Sequence, residues 1–347
     1  MRDFSFEELL DTAQIHYTQQ LPLVITKEPN TNYILLLRQN DKEVYNYDAE
    51  SQKVGFLFTP FSSEKRILLK GEVLYGLLPK KENTIPCKKF VFKETLEEKQ
   101  KHINLVNKAI DEIHNGLLEK VVLSRKITIK KSVNPFKCFA NMITQYPSAF
   151  CYLFYHPKVG TWLAATPELL LHNYENSFNT MALAGTQPFK EGEVHWQSKE
   201  CEEQQIVTDT IVQQLQGYVN ELKVSTPKTL QAGKVMHLCT EIKGKIKKEK
   251  ILEVVQRLHP TPAVCGYPTN KAYKFIIENE LYDRQYYTGY CGWVSNNGQT
   301  LFVNLRCMQI TNNEVYLYVG GGITKDSVPE KEYEETQNKA MTMMTII

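Results

Sequence analysis

The sequence predicts an α+β fold with antiparallel sheets, and three observations carry that reading. Short apolar runs bounded by turn residues come in clusters, with helices between clusters, whereas a doubly wound fold needs strict strand–helix alternation. Two long strand patterns, Thr300–Ile310 and Glu314–Val319, flank Thr311-Asn312-Asn313, a good hairpin turn. The run KVVLSR from Lys120 puts apolar groups on both strand faces, so both faces are expected to be covered.

Residues 1–95 carry the weaker signals. Tyr33–Leu37 and Gly55–Phe58 are short apolar runs and read as strands, and Leu78–Lys89, rich in Pro, Lys and Asn, reads as a loop. A helix follows from about Lys93 to Leu118, because Ile103, Val106, Ile110, Ile113 and Leu117 recur at spacings of three and four. Lys120–Ile129, Phe150–Tyr155 and Thr161–Ala165 read as strands. A second helix spans roughly Lys199–Leu222, with Val207, Ile211, Leu215 and Val219 on one stripe, and a third runs from Lys271 to about Glu280. The last helix runs from about Pro329 to Met344. The basic run Lys243–Lys250 reads as a solvated hairpin or loop.

Composition narrows the function classes. The 347 residues include 41 basic and 39 acidic ones, a net charge of +2 that argues against a nucleic-acid binder. No stretch approaches the roughly 18 apolar residues of a membrane helix. The start, MRDFSFEELLD, lacks the apolar segment of a secretory signal. None of the eight cysteines forms a CxxC pair or a zinc-like His–Cys spacing, so a reducing, cytoplasmic setting is expected.

Several residues have chemical potential, each with a plain structural alternative. Lys120, if desolvated at the start of a buried strand, is a usable general base; otherwise it is an edge lysine reaching water. Glu168, after a Pro turn and before three leucines, is either a buried acid or a capping group. Glu200, Glu202 and Glu203 complement a helix dipole or supply oxygen ligands to a hard metal. Glu332, Glu335 and Lys339 share one face of the last helix, as a solvated Glu–Lys pair or as part of a site. Gly320, Gly321 and Gly322 allow close backbone approach to a ligand, or make a bulge. Arg306, by alternation on the same face as Phe302, Asn304 and Met308, needs an anionic partner, either a substrate carboxylate or an internal acid. His237 alone reads as a satisfied core histidine.

In order, the strings KVVLSR, ATPELLL, ALAGT, ECEEQQIV, MHLCTEIKG, LHPTPAVCGYP, YDRQYYTGYCGW, VNLRC and GGGITKDSVPEKEYEETQNK resemble the chorismate-utilising enzymes, over about 230 residues from roughly 110 to 347. The resemblance implies two large antiparallel sheets packed as a sandwich with flanking helices. Residues 1–95 are then the variable N-terminal part and 96–347 the chorismate-binding catalytic region, together one compact domain. It implies magnesium, with Glu203 and Glu335 as carboxylate ligands and Glu332 as a further acid near the metal. It assigns Lys120 as the base that activates water for attack at C2 of chorismate. Glu168 becomes the acid that protonates the departing C4 hydroxyl. It also places Arg306, Tyr287 and the Gly320–Gly322 amides at the enolpyruvyl carboxylate, Lys339 at a substrate carboxylate, Gly185 and Thr186 near C4, and His237 beside the pocket.

Within the family, the ammonia-using anthranilate and aminodeoxychorismate synthases, which need a glutaminase partner, typically read PIAGT where this chain reads ALAGT. Anthranilate synthases lack the lysine that matches Lys120, and no LLES tryptophan motif occurs here; ILLLRQ is the nearest string. Gln285 departs from the Glu or Gly of many members. The resemblance therefore implies a water-using isochorismate synthase without an obligate glutaminase, with salicylate synthase as the second choice. Menaquinone and siderophore synthesis both stay open as its destination.

Overall fold

The computed structural model describes residues 4–47, 54–79, 95–189, 192, 194–232 and 235–347. The expected loop Leu78–Lys89 and the start of the helix at Lys93 lie mostly outside them. Seven helices are described: α1 (Phe6–Thr18), α2 (Leu96–His114), α3 (Pro135–Gln145), α4 (Ser198–Leu215), α5 (Ile251–Leu258), α6 (Thr269–Asn279) and α7 (Pro329–Met344). Their starts follow from side chains that satisfy the free amides of the first turn. Ser5 with Glu8 and Thr95 with Glu98 form capping boxes, and Asn134 caps α3 ahead of Pro135. Helices α1, α3 and α5 were not expected from hydrophobic periodicity. Helix α4 stops at Leu215, and Asn220–Val224 of the expected helix pairs as a strand.

The strands form two ten-stranded sheets. The first runs Phe4–Ser5, Glu72–Leu77, Tyr33–Arg38, Leu23–Lys27, Phe150–His156, Gly160–Thr166, Cys307–Ile310, Val315–Ile323, Lys120–Ile129 and Gly266–Tyr267. The second runs Asn220–Val224, Val235–Lys245, Ser177–Pro188, Leu169–Tyr174, Gly298–Val303, Tyr290–Val294, Gly55–Thr59, Ile67–Leu69 and Tyr45–Asn46, with Lys228–Ala232 beside Val235–Lys245. Pairing is antiparallel except at Phe4–Ser5, so the α+β sandwich is the observed fold. Strands from residues 4–77 enter both sheets.

Alternation explains the layers. In Phe150–His156, Phe150, Tyr152 and Phe154 point between the sheets, where they meet Phe56, Phe58, Trp162 and Phe302. Phe58 stacks on Phe154 at 4.2 Å and Phe150 on Phe302 at 4.3 Å. Cys151 and Leu153 point the other way, into the layer of α1, α3 and α7. Each such buried side chain contributes about 1.5–3 kcal/mol relative to exposure. The second sheet covers its outer face with α4 and α5. The strand Lys120–Ile129 shows the two-sided burial that its composition predicts. Val121 and Leu123 join the layer with α2 and α6, which leaves Lys120, Val122 and Ser124 on the opposite face.

One expected strand is corrected. Thr300–Ile310 is not continuous: Gly298–Val303 belongs to the second sheet and Cys307–Ile310 to the first. The chain changes sheets through Asn304-Leu305-Arg306, and Arg306 takes a left-handed φ of +46°. The alternation that put Arg306 on a face with Phe302, Asn304 and Met308 therefore fails. The hairpin at Thr311–Asn313 is present, closed by Thr311 N donating to Glu314 O at 2.9 Å. The basic run, read as a solvated hairpin or loop, is instead the end of the strand Val235–Lys245 followed by one short helical turn at Lys248–Lys250, with Lys243 and Lys245 exposed. No helix among the described residues is long and apolar enough to cross a membrane.

Candidate active site

A cavity opens where the chain changes sheets twice. One crossing is Pro167–Glu168, between Gly160–Thr166 of the first sheet and Leu169–Tyr174 of the second; the other is Asn304–Arg306. The crossings are tied together: Thr166 Oγ1 donates to Val303 O at 2.6 Å, and Val303 N donates to Glu168 O at 3.0 Å. Strands that switch sheets make corners, and side chains there leave the two flat faces and point into the gap. Glu168, Gly185, Thr186, Glu203, His237, Tyr287, Arg306, Gly320, Gly321, Gly322 and Lys339 all line this one cavity.

Glu168 is 2% exposed, and Thr261 Oγ1 donates to its Oε1 at a long 3.4 Å. Burial pushes its carboxyl up to about 8, against the smaller downward pull of Lys120, Thr261 and Lys339. At neutral pH this carboxyl holds its proton.

The opposite wall is charged. Lys120 is fully buried, and its Nζ stands 3.1 Å from Glu203 Oε1. The contact is close but off the hydrogen-bond direction, and no other polar atom of the described residues is aligned on Nζ. Burial drives the Glu203 carboxyl up, but the charge of Lys120, with Lys339 and Lys199 behind it, outweighs burial and holds it below its ordinary value. Lys339 Nζ donates to Glu335 Oε1 at 2.7 Å and to Gly320 O at 3.0 Å. Glu332, 1% exposed, accepts from Lys199 Nζ at 2.5 Å; burial and then the charge of Glu335 push its carboxyl up. The glycine run makes this wall possible. A Cβ on Gly322 would stand 2.3 Å from Glu203 Oε1, and one on Gly321 3.5 and 3.6 Å from oxygens of Glu335 and Glu332. Among the described residues, no three His, Cys, Asp or Glu side chains stand close enough together as placed to hold a metal ion; each of these three acids holds a lysine instead.

The third feature is a guanidinium without an acid. Arg306 is 9% exposed, and its Nη1 donates to Ala232 O at 2.6 Å and its Nη2 to His237 Nε2 at 2.7 Å. No Asp or Glu of the described residues pairs with it, and burial pulls it down to about 10. His237 Nδ1 lies 3.0 Å from Gly185 O, which only accepts, so Nδ1 carries the proton and Nε2 receives the guanidinium. Burial, then Arg306 and Lys339, hold His237 well below the usual histidine range, in keeping with a neutral ring. Gly185 sits at a bulge with φ +72°, which turns its carbonyl toward His237 and brings Thr186 Oγ1 to 3.2 Å from the same nitrogen.

Thus the lysine, the acids, the arginine and the glycines singled out in the sequence gather around one cavity. Lys120, Glu332 and Glu335 stand behind its lining, through Glu203, Lys199 and Lys339. Two contributors escaped the sequence reading. Lys199 was passed over among its acidic neighbours, although a cation in the first turn of a helix opposes the macrodipole and is itself a signal. Arg284, paired with Glu280 at 2.6 Å and fully buried, donates to Val122 O, Val264 O and Thr288 Oγ1, and so fixes three segments of the cavity wall. A buried arginine of this kind shows no periodicity.

Comparison with known proteins agrees with the fold. A family model described as chorismate binding enzyme matches residues 64–347, and the protein belongs to that family. Isochorismate synthase MenF of Escherichia coli (strain K12) is 33% identical over 257 residues, 70% of this chain and 59% of that protein. Isochorismate synthase EntC of the same strain is 33% identical over 245 residues, 66% of this chain and 62% of the other. The chain thus spans about three-fifths of the length of these curated relatives. The solved structure of MenF, the menaquinone-specific isochorismate synthase from Escherichia coli, has the same fold, with a TM-score of 0.83 at 23% identity over 99% of this chain and 93% of that one.

Proposed function

We propose that the protein is an isochorismate synthase, converting chorismate to isochorismate with magnesium. The observation that carries the reading is the setting of two unlike groups at one cavity: a lining carboxyl, Glu168, pushed up to about 8, and a fully buried lysine, Lys120, held behind the facing wall against Glu203. A carboxyl raised by burial in this way suits a general acid near neutral pH. In this reading Lys120 acts in its neutral amine form, taking a proton from water as the oxygen bonds to C2. Both double bonds of the ring diene shift, the C4–O bond breaks, and Glu168 delivers its proton to the leaving hydroxyl, which departs as water. Arg306, held open by His237 and lacking an acid of its own, receives the enolpyruvyl carboxylate with Tyr287 and the Gly320–Gly322 amides. Lys339 reaches a second substrate carboxylate, and Gly185 and Thr186 border C4.

The donor chemistry of the charged wall fits magnesium. Glu203, Glu332 and Glu335 offer only carboxylate oxygens, and the charge of Glu335 helps push the Glu332 carboxyl up, so a cation there is favoured. Glu203 and Glu335 would hold the ion with Glu332 beside them, and the ion would neutralise charge where the ring carboxylate binds. The reading needs no glutaminase partner and suits a protein of the cytoplasm.

The test is incubation with chorismate, with magnesium or with a chelator, followed by chromatography. Isochorismate formed only with magnesium, and without a partner protein or ammonium, is the expected result. Salicylate with pyruvate would move the assignment to a salicylate synthase, and unconsumed chorismate would overturn it.

A further inference from the structure

Lys199 stands apart from the other lysines of the charged wall. It lies in the first turn of α4, where a positive charge is disfavoured by the helix dipole, and it is drawn across to α7 by Glu332 at 2.5 Å. Its side chain keeps 27% exposure while Glu332 keeps 2%, so the lysine approaches the buried acid from the solvent side. Glu203 lies four residues further along α4, on the face of Lys199, and Glu335 lies three residues beyond Glu332 on one face of α7. The ammonium therefore sits where the fields of all three acids add.

A divalent cation bound by these acids would meet the same fields. We propose that Lys199 is a built-in competitor of the metal: its ammonium occupies the electrostatic focus of Glu203, Glu332 and Glu335 and weakens divalent-cation binding. This rests on the magnesium reading above. Lys199 is a positioning residue, acting through Glu332 and not on the substrate. The competition has a use. Glu335 repels Glu332 in this buried wall, and Lys199 offsets part of that repulsion while leaving the site selective for an ion that outbids an ammonium.

The experiment is calorimetric titration of magnesium chloride alone into the full chain, as wild type, Lys199→Met and Lys199→Arg. Lys199→Met is expected to tighten magnesium about tenfold, the low end of what an opposite charge within ~4–6 Å is worth, given partial solvent screening. Lys199→Arg keeps the charge and is expected to stay near wild type. Thermal unfolding with and without magnesium checks each variant, and Lys199→Gln replaces Lys199→Met if the latter does not fold. Wild type that binds magnesium while Lys199→Met binds it no more tightly overturns the competition and leaves the magnesium reading standing. Wild type that takes up no magnesium overturns both.

Discussion

Glu168 and Glu203 are the same residue type on the same cavity, and they behave in opposite ways. Both lose most of their water, and for both burial is the largest influence. Glu203 has the Lys120 ammonium at 3.1 Å and falls below its ordinary value; Glu168 has only a hydroxyl at 3.4 Å and rises to about 8. Burial sets the stakes and the partner sets the sign. The partner follows from position. Glu203 sits in α4 facing the start of the Lys120–Ile129 strand, whereas Glu168 sits at a sheet crossing with the Thr261 hydroxyl as its side-chain donor.

The sharpest way to break this contrast is to remove the cation. Lys120→Ala should lower turnover by about 10²–10⁴-fold, with chorismate binding still measurable by calorimetry. It should also release the Glu203 carboxyl upward, toward the behaviour of Glu168. Turnover near wild type would sink the base assignment. Next, Glu168→Gln should cost about 10²–10³-fold. In wild type, turnover should fall as pH rises through about 8, because the acid form is consumed. The stability sign follows as well. A carboxyl whose folded value is raised stabilises fully below its unfolded value of about 4.3, and that contribution is lost as pH rises through the folded value. The melting temperature of Glu168→Gln should therefore gain on wild type between pH 5 and pH 9, and a gap that does not change with pH would contradict the buried, unpaired carboxyl. The smallest effect should come from Arg306→Lys, which keeps the charge but loses the planar fork. KM should rise about tenfold with kcat less affected; a pure kcat loss would place Arg306 outside substrate recognition.

The contrast between the two glutamates was only half legible in the sequence. That acids and a lysine belonged to one site came from the order of the motifs, because local signals favoured plain readings for each of them. The i,i+4 pair Glu335–Lys339 is real, as helix spacing predicts, yet it is turned toward the cavity and only about a fifth exposed. Nothing in helix spacing tells which side of α7 meets the first sheet. Lys199 and Arg284 were missed because their partners, Glu332 and the Val122 and Val264 carbonyls, come from distant segments.

By itself the sequence determined the elements whose information is local: the α2 and α4 stripes through Val106 and Val207, the hairpin at Thr311–Asn313, and the two-faced burial of the strand after Lys120. Periodicity and turn chemistry act over a few residues, so a few residues reveal them. Only the tertiary structure decided where strands cross between sheets. Local alternation carries Thr300–Ile310 straight through Arg306, but two stacked sheets sharing one chain need a corner there, and the corner aims Arg306 at His237 and the cavity. The same packing seals Lys120 against Glu203, turning what reads locally as an edge lysine into a fully buried one beside the acid of α4.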